Sequence, residues 1–585
     1  MNYTLSTGTG PQIKRTLTSG LKKLAPLMAQ EKHGVVGALI AILISSASGL
    51  LGPVMITRAI DTAVRLRSAE TLRTDALLVV GLYLVGVTAS YFQVVMIGGA
   101  GRRILYNLRN ALFAKLQELP VAFFNQNKAG DLISRLNNDT DKLNQFVGQA
   151  MMQFVGSVVL MAGVVVFMMS LDVRLGAAAL LPAVVVMVIT KATGKWVQAK
   201  NLGSMQSLGG MSAEIQEGLQ NFKVIVAFHR TDYFRTKFNA ANDRNYNASV
   251  AAGYANNLYM PLYGFAEIIA QMIVIGYGIS LIQAGQATVG LLIGFLLYVS
   301  HFYRPLRQVA TVWAQFQMAV AGLDRISEVL ALESDMPVQP AAPTESKAVL
   351  EFQTVGFRYP NSQDILRDVS FELEAGKSYA LVGPTGGGKT TTALLMARLY
   401  DPSAGNVLFH GRDIRSYTQE ERSRKIGFIL QEPFLTSGTV GDNIFYGNPD
   451  FVGKTPEQLA AVLDEANFSK LLTRFPNGLD TPVTVGGNSI SLGQKQLIAF
   501  MRAVLRKPEV LILDEATANI DTVTEQLLEE VLQSLPKSTT KVIIAHRLNT
   551  IDNVDQIFFV NSGEIGVAGS MEHALELLMH GKRAS

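Results

Sequence analysis

The chain of 585 residues contains no cysteine. That excludes a disulfide framework, thiol catalysis and a thiolate metal site. Charge is scarce as well. Asp, Glu, Lys and Arg make up 17%, against roughly 25% in soluble domains. Hydrophobic residues make up 48%, and mean hydropathy is +0.23. The imbalance points to a membrane part. The formal net charge of +4 is too small to argue for nucleic acid. Residues 1–30 lack the basic start, apolar core and small-residue site of a cleavable signal peptide. No internal repeat or low-complexity tract is visible.

What is present divides into two halves. Apolar runs at residues 34–57, 76–100, 146–169, 175–190, 261–283 and 289–302 are mostly long enough for spanning helices, which need about 20 residues. Six spans return the chain to the side it started from. Lys and Arg cluster between spans two and three (Arg102, Arg103, Arg109, Lys115, Lys128, Arg135) and between spans four and five (Lys191, Lys195, Lys200, Lys223, Arg230, Arg235). The positive-inside rule places both segments in the cytoplasm. Arg58, Arg65, Arg67 and Arg73 run against that rule in the first external loop, and the span count outweighs them.

The two cytoplasmic segments are long and helix-forming. Legs of ~33 residues would reach ~50 Å beyond the bilayer, with glycine-bearing tips expected at residues 125–134 and 209–217. Residues 12–30 carry Lys14, Arg15, Lys22 and Lys23 among Leu17, Leu21, Leu24 and Leu27, an amphipathic basic stretch suited to lying on the membrane surface. For the first dozen residues a frayed tail is an equal expectation. Residues 332–347, with Pro337, Pro340 and Pro343, read as a linker. The expected domains are therefore residues 1–331 in the membrane, the linker, and residues 348–585 as a soluble α/β domain built from βαβ units.

The second half is organised around Gly383-Pro384-Thr385-Gly386-Gly387-Gly388-Lys389-Thr390. An apolar strand precedes it and a helix follows, the context a phosphate-binding loop requires. Glycines let backbone N–H groups turn inward onto phosphates. Lys389 is expected to reach the β- and γ-phosphates and Thr390 to hold Mg²⁺. Thr391 is assigned to the same nucleotide site. Three further strand-like runs end in polar residues, where ligands sit in open α/β sheets. Asp514, after an apolar strand, is expected at the metal, and Glu515 next to it at the attacking water. Gln431 is expected at the metal or the water, and His546 near the γ-phosphate. Tyr359 is a candidate to stack on adenine. Ser491, Gly493 and Gln494 open a helix whose N-terminus suits an anion.

In this order the residues resemble an ATP-binding cassette (ABC) exporter, a half-transporter with six spans and one nucleotide-binding domain. The resemblance assigns Gly383 to Thr390 to Walker A, Val510 to Asp514 to Walker B, Glu515 to the catalytic glutamate, Gln431 to the Q-loop and His546 to the switch histidine. It assigns Tyr359 to the A-loop, Ala518-Asn519-Ile520-Asp521 to the D-loop and Ser491-Leu492-Gly493-Gln494 to the signature. Phe123, Phe124, Gly130, Arg135 and Asp139 resemble the family's first cytoplasmic loop, and residues 217–228 its second. Leu492 replaces the signature's usual first glycine, and Val485 a common glutamate.

The resemblance implies ATP with Mg²⁺ as cofactors, a multi-pass protein of a bacterial cytoplasmic membrane with its cassette inside, and export of an amphiphilic small molecule, lipid or peptide. An ATP-gated channel or regulator is the alternative on the same fold. With no peptidase domain ahead of the spans, leader-peptide processing is not expected. The family pairs the Walker residues of one subunit with the signature of another. Intact Walker residues beside an irregular signature favour a heterodimer over a homodimer. Within span five, Glu267 and Gln271 are candidate contacts for a cationic substrate. A packing hydrogen bond for Glu267 is an equal expectation, because a mid-membrane charge costs about 2.5–3.5 kcal/mol.

Overall fold

The computed structural model describes residues 3–6, 17–66, 69–340, 346–360, 362–431, 433–484, 490–514, 522–544, 554–569 and 571–580. They form two compact units. The first comprises residues 5–117 and 129–331; the second comprises residues 1–4, 118–128 and 332–585. The segment 118–128, expected to be part of a membrane-domain leg, thus belongs with the soluble fold.

Among the described residues the membrane unit holds six helices long and apolar enough to cross a bilayer. They lie in helices Lys32–Leu66, Ala69–Glu118, Met151–Leu171, Val173–Gln220, Tyr259–Gln283 and Val289–Leu330. All six apolar runs of the sequence fall in these elements, the third beginning in a π-helical turn at Phe146–Ala150. Leu43, Leu84, Val94 and Val188 are exposed, as apolar side chains on lipid- or partner-facing surfaces are. Inside, Phe146, Phe316 and Ile326 anchor one core, and Tyr263, Ala270, Tyr298 and Tyr303 another. Asp61 ties the first helix to the start of the sixth, accepting hydrogen bonds from Thr288 Oγ1 at 2.7 Å and Gly290 N at 3.0 Å.

Both legs are helical. The second pairs Val173–Gln220 with Thr231–Asn257, bridged by reciprocal Asn201–Asn256 amide bonds and by Lys237 between Glu214 and Glu217. Its tip is not at residues 209–217 as the glycines suggested. Helix continues through Gly209 and Gly210 and breaks at Asn221, which leaves helical geometry (φ −98°, ψ 14°) while its amide bonds back to Glu217 O. The short cross-helix is Phe222–Ala227. Helices tolerate glycine at a cost of about 1 kcal/mol, so glycine alone does not mark a break. The first tip begins earlier than expected. Pro120, extended at ψ 163°, separates the long helix from Val121–Gln126, and Ala129–Ser134 follows.

In the soluble unit a six-stranded sheet runs in the order Glu564–Val567, Gln556–Asn561, Ser378–Val382, Thr540–Ile544, Val510–Asp514 and Ile426–Ile429. All neighbours are parallel except the first pair. An antiparallel four-stranded sheet packs its Leu350, Phe352 and Phe409 into the same core as Tyr379 and Phe558. A separate core around Leu463, Phe468, Leu497 and Phe500 supports the helices that follow. The linker lies on this unit. Arg398, almost fully buried, donates to the carbonyls of Met336 and Pro337, and Gln339 N to Arg415 O.

Candidate functional site

Ser378–Val382 is buried at all five positions and delivers the chain into the glycine loop. Gly383 (φ 149°) and Gly388 (φ 116°) occupy conformations that disfavour a side chain. A Cβ at Gly383 would also collide with the Val560 carbonyl oxygen. Helix Lys389–Met396 starts at once. Pro384, Thr385, Gly386 and Thr390 are exposed, whereas Lys389 is 5% exposed. Its ammonium folds back and donates to Gly383 O at 2.8 Å and Pro384 O at 3.0 Å.

Strand register brings the other residues to the same edge. Leu381 pairs with Ile544, and Ile544 with Asp514. Leu513 in turn pairs with Ile429, two residues before Gln431. Asp514 is therefore two strand spacings, about 10 Å, across the sheet from the strand that feeds the loop. It is buried, while Gln431 is exposed. Parallel strands and a helix beginning at the loop make this the end of the sheet where anions and metals bind. Glu515, His546, Asp521 and Val485 lie outside the described residues.

Tyr359 donates to or accepts from Thr391 Oγ1 at 3.1 Å and sets its ring edge-on to Phe357 and Tyr400. Burial pushes its phenol above the ordinary value, against the Thr391 hydrogen bond, so it stays neutral. This contact couples the aromatic ring to the first turn after the loop.

Ser491 caps helix Leu492–Val504 in a capping box: Gln494 N donates to Ser491 Oγ at 3.2 Å, and Ser491 N to Gln494 Oε1 at 2.9 Å. Gln494 Nε2 reaches Arg474 O at 2.8 Å, a partner not legible in the sequence. Leu492 fills the first helical position and is 39% exposed.

In the membrane unit Glu267 is not alone. Its Oε2 lies 3.0 Å from Arg307 Nη2, and its Oε1 accepts from Ser300 Oγ at 3.0 Å. Gln271 Nε2 donates to Ser300 Oγ at 3.2 Å. Arg307 and Ser300 were missed from the sequence. An arginine five residues beyond an apolar run was the available signal.

The glycine loop, the buried lysine, the Thr390 hydroxyl and the Asp514 carboxylate fit a nucleotide triphosphate with a hard divalent cation, which takes oxygen ligands. Residues 35–306 match a family model described as the ABC transporter transmembrane region, and residues 366–518 one described as ABC transporter. An uncharacterized ABC transporter ATP-binding protein, YfiC of Bacillus subtilis, is 33% identical over 95% of this chain and 92% of its own. A fatty acid ABC transporter ATP-binding/permease protein of Mycobacterium bovis is 32% identical over 84% and 78% respectively. A multidrug resistance ABC transporter ATP-binding and permease protein of Lactococcus lactis is 32% identical over 85% and 83%.

Proposed function

Because the chain belongs to the ABC transporters, an ATP-hydrolysing exporter with membrane region and cassette in one polypeptide, we propose that it exports an amphiphilic small molecule or lipid by alternating access. The observation that carries this reading is the row of strand ends beside the glycine loop, in a chain that also supplies six bilayer-length helices.

In this reading Lys389 and the loop amides hold the β- and γ-phosphates, and Tyr359 stacks on adenine. Thr390, Asp514 and Gln431 would hold Mg²⁺, which would supply charge neutralisation at the phosphates. Glu515 polarises the attacking water, and His546 orients it against the γ-phosphate. The exposed Ser491 end, with Gly493, Gln494 and Asp521, faces the triphosphate of a second subunit. ATP drives the cycle only if it prefers the closed state, since a ligand shifts an equilibrium by its differential affinity. The second subunit is a half-transporter, and a heterodimer is favoured because the irregular positions, Leu492 and Val485, fall on the signature side alone. The membrane is the bacterial cytoplasmic membrane, with the cassette inside.

The substrate class follows the lipid-soluble character implied by relatives named for fatty acids and for multidrug resistance. Glu267 and Gln271 remain candidate contacts for a cationic member of that class, through the Ser300–Arg307 cluster. Inverted vesicles carrying the chain, alone and with a co-expressed half-transporter, test the reading. ATP-dependent accumulation of ethidium or a fluorescent fatty acid, with substrate-stimulated hydrolysis, is expected once the required subunits are present. Brisk activity from a dimer of identical chains would remove the heterodimer. Hydrolysis with no vectorial movement of any amphiphile would remove the exporter.

A further inference from the structure

Tyr3 is 1% exposed, although it stands in a stretch the sequence left as an equal candidate for a frayed tail. Its hydrogen-bond and ring partners among the described residues lie within the soluble unit. The Tyr3 hydroxyl donates to Asp335 Oδ1 at 2.6 Å and accepts from Asp335 N at 2.8 Å. Its backbone N–H donates to Gln126 Oε1 at 2.8 Å, and its carbonyl accepts from Asn127 Nδ2 at 3.0 Å. Its ring stands edge-on to Phe123, which is fully buried, at a centroid distance of 6.2 Å. The same Asn127 amide also donates to Phe123 O at 2.8 Å. Nearby, Asn125 Nδ2 donates to Tyr400 OH at 2.7 Å.

Tyr3 therefore joins two segments far apart in sequence. One is the cross-helix Val121–Gln126 at the tip of the first leg; the other is the start of the linker at Asp335. Both lie where the chain passes between membrane unit and cassette. Three residues on, Ser6 belongs to the membrane unit and is also fixed. Its N and Oγ donate to the two Glu328 oxygens at 2.8 and 2.9 Å, and its carbonyl accepts from Arg135 Nη2 at 2.8 Å.

Charge or dipole matters less here than geometry. A cross-helix of six residues has too few internal bonds to hold its own orientation. It needs outside partners, and Tyr3 supplies hydrogen bonds at its end and ring contact on its buried face. We propose that Tyr3 is a positioning residue for energy transfer, fixing Val121–Gln126 against the linker so that movement of the cassette reaches the membrane helices. The proposal rests on the transport reading.

The test uses the full chain with its required partner in nanodiscs, comparing wild type, Tyr3→Ala and Tyr3→Phe. Hydrogen exchange of residues 121–127 reads the anchoring. Spin labels on Ala284→Cys, the chain's sole cysteine in that variant, and on a single cysteine in the partner subunit's matching outer loop read the nucleotide-driven distance change there. ATP hydrolysis reads the motor. Tyr3→Ala is expected to raise exchange about tenfold or more, keep hydrolysis within about twofold, and lose at least about half of the ATP-driven distance change. Tyr3→Phe keeps the ring contact and loses the Asp335 bonds, and is expected to fall between. Unchanged exchange, or raised exchange with a full distance change, overturns the proposal. If Tyr3→Ala loses hydrolysis altogether, Tyr3→Phe decides by the same criteria. A parent chain with no nucleotide-driven change overturns the transport reading and this proposal with it, and is distinguished because the defect precedes any substitution.

Discussion

Lys389 Nζ lies 2.8 Å from the carbonyl oxygen of Gly383, so the ammonium is turned into its own loop. A buried ammonium needs such partners, because desolvating an unpaired charge is costly. Phosphate oxygens offer stronger ones. Replacing Lys389 by Ala removes that exchange of partners. Charge-assisted hydrogen bonds contribute about 1.5–3 kcal/mol, so Lys389→Ala is expected to weaken ATP binding about 10- to 150-fold. Equilibrium labelling with a photoreactive ATP analogue checks this. Unchanged affinity would mean the ammonium does not turn outward.

The Glu267–Arg307 pair makes a separable prediction. Glu267 is 13% exposed and Arg307 33%. Removing one partner strands the other, while removing both removes the penalty. Glu267→Gln is expected to lower the melting temperature, and Glu267→Gln with Arg307→Gln to recover most of the loss. If Glu267 also meets cationic substrate, ethidium transport stays impaired in the double variant although stability returns. Full recovery of ethidium transport would leave Glu267 a packing residue.

Glu509 gives the soluble unit a pH signature. Burial pushes its carboxyl up, but Lys425 Nζ at 2.8 Å and His410 Nε2 together bring it below the ordinary value. A lowered folded value means the stabilisation is present above the unfolded carboxylate's value, about 4.3, and is lost as pH falls through the folded one. The group is 40% exposed, so the effect is small. Glu509→Gln is expected to lower the cassette's melting temperature by about 1–3 °C at neutral pH. That difference should shrink on acidification below about pH 4.3. A difference that persists or grows toward acid would contradict the pairing.

The strand, glycine loop and helix start at residues 378–396 were legible because their signals are local. A buried strand, a glycine run and a helix start follow one another within twenty residues, and Asp514 and Gln431 come at or just past the ends of apolar runs that read as strands. The spans were legible for the same reason, since lipid demands continuous apolar runs. What failed was local evidence that tolerates exceptions, as at Gly209 and Gly210 in a continuous helix. What was invisible was long-range pairing. Arg135 is almost fully buried through Glu328, 193 residues away, and Tyr3 through Asp335, 332 residues away. Sequence periodicity carries no record of such partners.

ATP hydrolysis and ATP-driven accumulation, measured together in the same inside-out vesicles for the parent chain and Glu515→Gln, test the central claim most directly. The glutamine keeps size and hydrogen bonding but removes the charge that polarises water. General-base effects are about 10²–10⁴-fold. The account predicts hydrolysis and accumulation falling together by that factor, with labelling by the photoreactive ATP analogue retained. Hydrolysis at the parental rate in Glu515→Gln, or a parent chain that hydrolyses ATP while accumulating no amphiphile, would contradict it.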